Sequence, residues 1–177
     1  QDDIADKVMT MLAGAMKELK VGDPGELSTD VGPVIDADAL RILQDHAVRM
    51  DAEARLIAAA TLGDGTAHGT FFAPRAYELK DLGQLHREIF GPVLHVIRWK
   101  GDQLQAVIDQ INATGYGLTL GVHSRIDETV DRITNGIQVG NVYVNRNQIG
   151  AVVGVQPFGG QGLSGTGPKA GGPHYLL

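Results

Sequence analysis

Apolar residues recur at helical spacing at both ends of the first fifty residues. After two aspartates, which favour a helix amino terminus, this spacing predicts a helix that ends before the breaker-rich residues 21–25. A second helix is predicted to start after Asp36. The expected inward face of the first helix consists of Ile4, Val8, Met11, Leu12, Ala15 and Leu19. That of the second consists of Ala39, Leu40, Leu43, Ala47 and Met50.

The remaining chain alternates between short apolar runs and helical periodicity. Strands are predicted over residues 55–60, 71–79, 92–99, 118–123 and 139–145, with helices over 102–113 and 127–134. The strand–helix–strand–helix–strand order after residue 92 is typical of a parallel sheet with crossover helices. We therefore expect an α/β fold with a mostly parallel sheet, forming a single domain over residues 1–177.

Composition narrows the possible functions. The chain has 177 residues, 43% of them hydrophobic, and a net charge of −6, which excludes a disordered or membrane-embedded chain. The acidic balance argues against nucleic-acid binding. There is no cysteine, which excludes disulfides, thiolate metal sites and a cysteine nucleophile within this chain. The six histidines lack metal-type spacing, so no metal site is predicted, and His95 and His123 are expected on strands in a surface or satisfied-core role.

Glycine is concentrated between residues 150 and 172, where nine of the 24 glycines lie. Gly160, Gly162 and Gly165 imitate the G-x-G-x-x-G dinucleotide fingerprint. That site needs a helix directly after the glycines, and the glycines and prolines that follow here cannot form one. The run is therefore not interpreted as a nucleotide-phosphate loop.

A carboxylate and an aromatic residue, Glu88 and Phe90, precede a Gly-Pro turn and the most apolar strand of the chain. Strand ends are the places where α/β proteins bind ligands. A carboxylate can accept hydrogen bonds from sugar hydroxyls, and an aromatic edge can support a flat ring. On residue chemistry alone, an exposed glutamate and a core phenylalanine before a turn is the simpler interpretation.

Three motifs in order resemble the aldehyde dehydrogenase superfamily: residues 88–92 (EIFGP), 116–118 (YGL) and 157–160 (PFGG). Their order and spacing agree over nearly all 177 residues. The tail, with residues 164–167 (SGTG) and 171–175 (GGPHY), resembles more narrowly the pyrroline-5-carboxylate (glutamate semialdehyde) dehydrogenases. Within that group it is most similar to the dehydrogenase module of bifunctional proline utilization A proteins.

The resemblance implies site residues. Glu88 would hold the nicotinamide ribose hydroxyls of NAD, and Phe90 would pack beside the nicotinamide. Gly150 and Ala151 would bind the α-carboxylate of glutamate semialdehyde through their N–H groups, an arrangement typical of anion-binding nests. Phe158 would line the aldehyde channel. Taken without the resemblance, the Gly-Ala pair is a plain turn and Phe158 a core aromatic.

The absent cysteine matters because the family's chemistry begins with a cysteine thiolate attacking the aldehyde. The resemblance places that cysteine, and a Rossmann domain for the adenine half of NAD, before this segment. We expect a catalytic-domain fragment of a longer enzyme, inactive by itself and without catalytic residues of its own.

The resemblance also implies a cytoplasmic, homo-oligomeric parent, alternatively peripheral to the inner membrane, with FAD on a separate proline dehydrogenase domain. The missing Rossmann domain of the same parent would be a partner of this segment. Two other functions stay open: an aldehyde dehydrogenase of other substrate specificity, and a non-catalytic scaffold or oligomerisation domain.

Overall fold

The computed structural model describes residues 1–152, 154–165 and 167–177. They form two compact units, Gln1–Gly101 and Asp102–Leu177. The single domain expected from the sequence stays a prediction. Among the described residues, no helix is long and apolar enough to cross a membrane.

The first unit contains two helices and one sheet. Its elements are α1 (Asp2–Lys17), α2 (Ala37–Glu53), β1 (Arg55–Ala59), β2 (Arg75–Leu79) and β3 (Val93–Ile97). The sheet order is β1-β2-β3, with β1 antiparallel and β3 parallel to β2. Helix α2 begins at the predicted place because the Asp36 side chain accepts a hydrogen bond from the Ala39 N–H at 2.7 Å, which caps the helix.

The core of this unit lies along α2. Leu43 and Met50 are fully buried on the predicted face. One cluster joins Leu43 and Ala47 to Phe72, and the other joins Met50 to Tyr77 and Leu79 of β2. The amphipathic prediction for α2 is therefore confirmed.

For α1 the helix is confirmed, but its predicted inward face is right only at Leu12 and Leu19, which are half-buried. Met9 and Met16 are buried, whereas Ile4 and Val8 are exposed and Met11 is 75% exposed. The helix carries two adjacent apolar stripes, and helical spacing alone does not show which of them the sheet covers.

The second unit contains α3 (Leu104–Ala113), α4 (Asp127–Gly136) and four short strands. The strands are β4 (Tyr116–Gly117), β5 (Thr119–Val122), β6 (Asn141–Val144) and β7 (Gln161–Gly162). Strands β5 and β6 are parallel and are connected through α4, which confirms the predicted crossover there. Strands β4 and β7 form a separate antiparallel pair that the sequence did not predict.

The α/β class is confirmed, with β5 and β6 as a parallel pair joined by α4, but among the described residues β3 does not share a sheet with them as the strand–helix order after residue 92 predicted. Strand β3 belongs to the three-stranded sheet, whereas β5 and β6 form a sheet of their own. Strand β3 finds its parallel neighbour in β2, which precedes it in the chain. An apolar pattern indicates that a strand has a buried face, but it does not indicate which other strand it pairs with.

Two histidines meet inside the first unit. His46 of α2 is buried, and its Nε2 lies 2.9 Å from Nε2 of His95 on β3, so one ring donates and the other accepts. Burial is the main cause that lowers the pKa of His46 to about 4, and the neighbouring His95 and arginines lower it further. Burial also lowers the pKa of His95. The predicted strand position of His95 is confirmed, its ring is hydrogen-bonded as in the predicted satisfied role, and both rings are neutral at pH 7.

We expect the free energy of unfolding to fall as the pH is lowered from 6.5 toward 4. In that interval the histidines are protonated in the unfolded chain, whereas the lowered pKa keeps the folded pair neutral. Acid therefore favours the unfolded state. The loss should be on the order of 2 kcal/mol. Urea denaturation across this pH range measures it. His46→Gln should flatten the dependence while the exposed His68→Gln should not, and a flat parental profile would contradict the prediction.

Candidate functional site

The turn before β3 presents Glu88 and Phe90 to solvent. Ile89 between them packs against the Leu43 cluster, whereas Glu88 is exposed and Phe90 is 86% exposed. The interpretation of Phe90 as a core residue is therefore wrong: the chain anchors Ile89 and leaves its neighbours on the surface.

Gly91 makes this turn possible. Its φ is +151°, a conformation that side chains disfavour, and a Cβ there would lie 2.7 Å from both methyl carbons of Leu43. The turn joins the sheet where the Arg75 N–H donates to the Pro92 carbonyl at 3.0 Å. Glu88 and Phe90 thus lie at the amino end of β3, so the ligand rule for carboxyl ends of parallel strands does not apply to them.

Gly150 and Ala151 lie in the loop after β6, and both are half-buried. Among the residues that the structure describes, neither N–H has a hydrogen-bond acceptor. A Cβ added to Gly150 would meet nothing within 4 Å. The loop therefore offers two consecutive N–H donors with open space beside them, which is the chemistry that an anion needs.

Phe158 is half-buried and held by its backbone. Its N–H donates to the Ala170 carbonyl at 3.0 Å, and its carbonyl accepts from the Ala170 N–H at 2.9 Å. The Asn141 side chain donates to the Pro157 carbonyl at 3.0 Å and accepts from the Gly159 N–H at 3.2 Å. The peptide groups on both sides of Phe158 are thereby fixed.

Two further asparagines bind backbone in the same way, and none of the three stands out by apolar spacing or motif. The Asn112 side chain donates to the Gly136 carbonyl and accepts from the Gln138 N–H, both at 2.9 Å, on either side of Ile137. Asn145 bonds the N–H and the carbonyl of Ser124 at 3.0 and 2.9 Å. An amide side chain carries both a donor and an acceptor and can replace a strand neighbour. The available signal was position: asparagine near the end of α3 and at both ends of the run N-V-Y-V-N that begins at Asn141.

Close backbone approach explains the three glycines that imitate the dinucleotide fingerprint. A Cβ on Gly160 would lie 2.5 Å from the Ser164 carbonyl oxygen, and one on Gly162, whose φ is +58°, 2.4 Å from that of Gly115. A Cβ on Gly165 would lie 2.9 Å from the Gly160 oxygen. The apparent dinucleotide fingerprint is thus a folded-back loop. No described residue after Gly165 is helical, in line with the prediction that the run is not a nucleotide-phosphate loop.

The predicted site residues fall into two groups. Glu88 and Phe90 belong to the first unit, whereas Gly150, Ala151 and Phe158 belong to the second. In each group the described geometry fits the function that the resemblance implied, and the roles themselves stay predictions.

Known proteins match this chain over its whole or nearly its whole length. The aldehyde dehydrogenase family matches residues 1–177. The bifunctional protein PutA of Klebsiella aerogenes is 54% identical over 99% of this chain, which covers 14% of that protein. A crystal structure of a mutant Bradyrhizobium japonicum proline utilization A superimposes with a TM-score of 0.94 at 58% identity, over 99% of this chain and 18% of that one.

A structure of 1-pyrroline-5-carboxylate dehydrogenase from Thermus with bound NAD has a TM-score of 0.87 at 37% identity. It is matched over 98% of this chain and 33% of its own length. The chain thus spans between a seventh and a third of the relatives described here.

Proposed function

Because the chain belongs to the aldehyde dehydrogenase family, we propose that it is the catalytic-domain part of an NAD-dependent dehydrogenase that oxidises glutamate γ-semialdehyde to glutamate in proline catabolism. The observation that carries this is the pair of N–H groups at Gly150 and Ala151, which have no acceptor among the described residues, in a chain that is 54% identical over 99% of its length to a bifunctional PutA protein. Glutamate semialdehyde differs from simple aldehydes by its α-carboxylate, which is the group that such donors bind.

The exposed turn of the first unit fits the nicotinamide half of NAD. The Glu88 carboxylate is exposed and can accept hydrogen bonds from ribose hydroxyls, and the exposed ring of Phe90 offers a flat apolar surface two residues away. NAD, when bound, supplies the acceptor for the hydride of the substrate. The proposal includes a parent that carries FAD on a separate proline dehydrogenase domain, is homo-oligomeric and is cytoplasmic.

We expect Gly150→Ala, in a longer dehydrogenase polypeptide that carries this segment, to raise the KM for glutamate semialdehyde by about tenfold. The added methyl group meets no protein atom, so the fold tolerates it, but it occupies the open space beside the two N–H donors. Steady-state kinetics and thermal unfolding measure the two effects separately.

Gly167→Ala is the matched control, since a Cβ there also meets nothing within 4 Å in the same unit. It should change neither KM nor unfolding temperature. An unchanged KM in Gly150→Ala would contradict the assignment of this loop to the substrate carboxylate.

We expect the 177-residue chain alone to show no aldehyde oxidation, because none of its residues supplies the thiolate that begins the family's reaction. NADH formation, followed by absorbance with glutamate semialdehyde and NAD, is the measurement. The positive control is a longer polypeptide in which a cysteine-bearing segment and a dinucleotide-binding domain precede these residues. Turnover by the 177-residue chain above the enzyme-free blank would contradict the expectation, and no turnover by the longer polypeptide would overturn the proposed function.

A further inference from the structure

Besides its backbone pairing with Ala170, the loop that carries Phe158 is bound by one side chain at the start of β6. We infer that Asn141 is a positioning residue for the aldehyde site, acting on the substrate through Phe158. The inference rests on the proposed function, in which Phe158 lines the aldehyde channel.

Asn141 is itself firmly placed. It begins β6, opposite Thr119 of the parallel strand β5, and its N–H donates to the Leu118 carbonyl at 3.1 Å. Its backbone is therefore fixed by the sheet, and its half-buried side chain extends to the loop. The side-chain amide of Asn141 therefore connects the fixed start of β6 to the loop that carries Phe158.

The amide fixes both peptide planes beside Phe158. Asn141 Nδ2 lies 3.0 Å from the Pro157 carbonyl oxygen, and Oδ1 lies 3.2 Å from the Gly159 nitrogen. Both distances are those of ordinary hydrogen bonds. Ala170 binds the N–H and the carbonyl of Phe158, which are the other polar groups of the same two peptides. Asn141 and Ala170 thus hold these peptide planes from opposite sides, and the planes set the direction of the Phe158 Cα–Cβ bond.

Side-chain packing alone does not fix the orientation of the Phe158 ring. Phe158 is half-buried, whereas the aromatic residues of a packed core are oriented by neighbours on all sides. Losing the amide should therefore change where the ring lies more than whether the unit folds. The consequence for a substrate that touches the ring is weaker binding, with the chemical step unaffected.

The test uses the longer dehydrogenase polypeptide with glutamate semialdehyde as substrate. Asn141→Ala should raise KM by about three- to tenfold and leave kcat within about twofold. Phe158→Ala should raise KM as well. In the double variant, the loss of Asn141 should add nothing to the loss of Phe158, because the amide acts only through the ring.

Asn112→Ala is the matched control. It removes the same kind of two-bond amide contact in the same unit, but around Ile137. It should lower the unfolding temperature and leave KM unchanged. If Asn141→Ala does not fold, Asn141→Asp keeps the size and the acceptor for Gly159 but loses the donor to Pro157, and it should also raise KM.

Amide hydrogen exchange at Gly159 reports on the contact without any substrate, and it should be faster in Asn141→Ala. An unchanged KM in the asparagine variants, additive effects in the double variant, or an equal KM rise in Asn112→Ala would overturn the inference. So would an unchanged KM in Phe158→Ala. Failure of the parental polypeptide to oxidise glutamate semialdehyde would instead refute the proposed function, and the exchange rate would still show whether the contact exists.

Discussion

Gly140→Ala is expected to destabilise the 177-residue chain by at least about 3 kcal/mol, because two segments of backbone already touch at this position. A Cβ on Gly140 would lie 1.7 Å from the Gly159 carbonyl oxygen and 2.9 Å from the Gly160 Cα. Both are main-chain atoms, so no rotation of a side chain relieves the overlap. The tail must leave β6, and with it go the hydrogen bond from the Lys169 ammonium group to the Gly140 carbonyl and the Asn141 contacts.

Urea denaturation followed by circular dichroism measures the loss. Gly136→Ala is the matched control in the same unit, where a Cβ would meet only side-chain atoms of Ile108, at 3.3 and 3.6 Å. That side chain can adjust, so we expect a change of no more than about 1 kcal/mol. Equal midpoints for Gly140→Ala and the parental chain would show that the tail does not pack on β6 in solution.

Glu78→Ala is the second substitution with a large expected effect, about 2 kcal/mol of destabilisation. Glu78 of β2 is 16% exposed and accepts from Arg55 Nε of β1 at 2.7 Å and from Arg98 Nε at 2.5 Å. The Arg98 guanidinium also forms ion pairs with two carboxylates of α1, Asp6 at 2.5 Å and Asp2 at 3.8 Å. Removing the carboxylate leaves two guanidinium groups without their common acceptor and weakens the connection between α1 and the sheet.

The effect should depend on pH. Burial alone would raise the pKa of Glu78, but the hydrogen bonds and charges of Arg55 and Arg98 outweigh it and hold that pKa below its usual 4.5. The carboxylate therefore stabilises the fold above pH 4.5, and this contribution is lost as the pH falls through the lower folded-state value.

Urea denaturation of the parental chain, Glu78→Ala and Glu78→Gln at pH 7 and in acid measures this contribution. Glu78→Gln, which keeps an acceptor but not the charge, should fall between the other two. Glu26→Ala is the control, because the Glu26 side chain has no partner among the described residues. A Glu78→Ala chain as stable as Glu26→Ala at pH 7 would refute the role of this carboxylate.

Much of the local structure was predictable. Helix α2, its Asp36 cap and its buried face follow from apolar spacing and cap chemistry, which act between residues within a few positions of each other. The assignment of the turn at Glu88 and Phe90 as a cofactor site rests on the resemblance to a family and stays a prediction. Residue chemistry alone favoured a buried Phe90, and the structure exposes it because Ile89 takes the core position.

The sequence by itself determined the α/β class, most helix and strand positions, the family, and the absence of a cysteine nucleophile from this chain. Only the tertiary structure decided which stripe of α1 is buried, which strands pair, and why three positions of the tail require glycine. It alone connected Asn141 to the loop of Phe158. The Asn141 contacts join residues 16 and 18 positions apart, and the spacing of residues along one sequence carries no signal for a side chain that arrives from a distant segment.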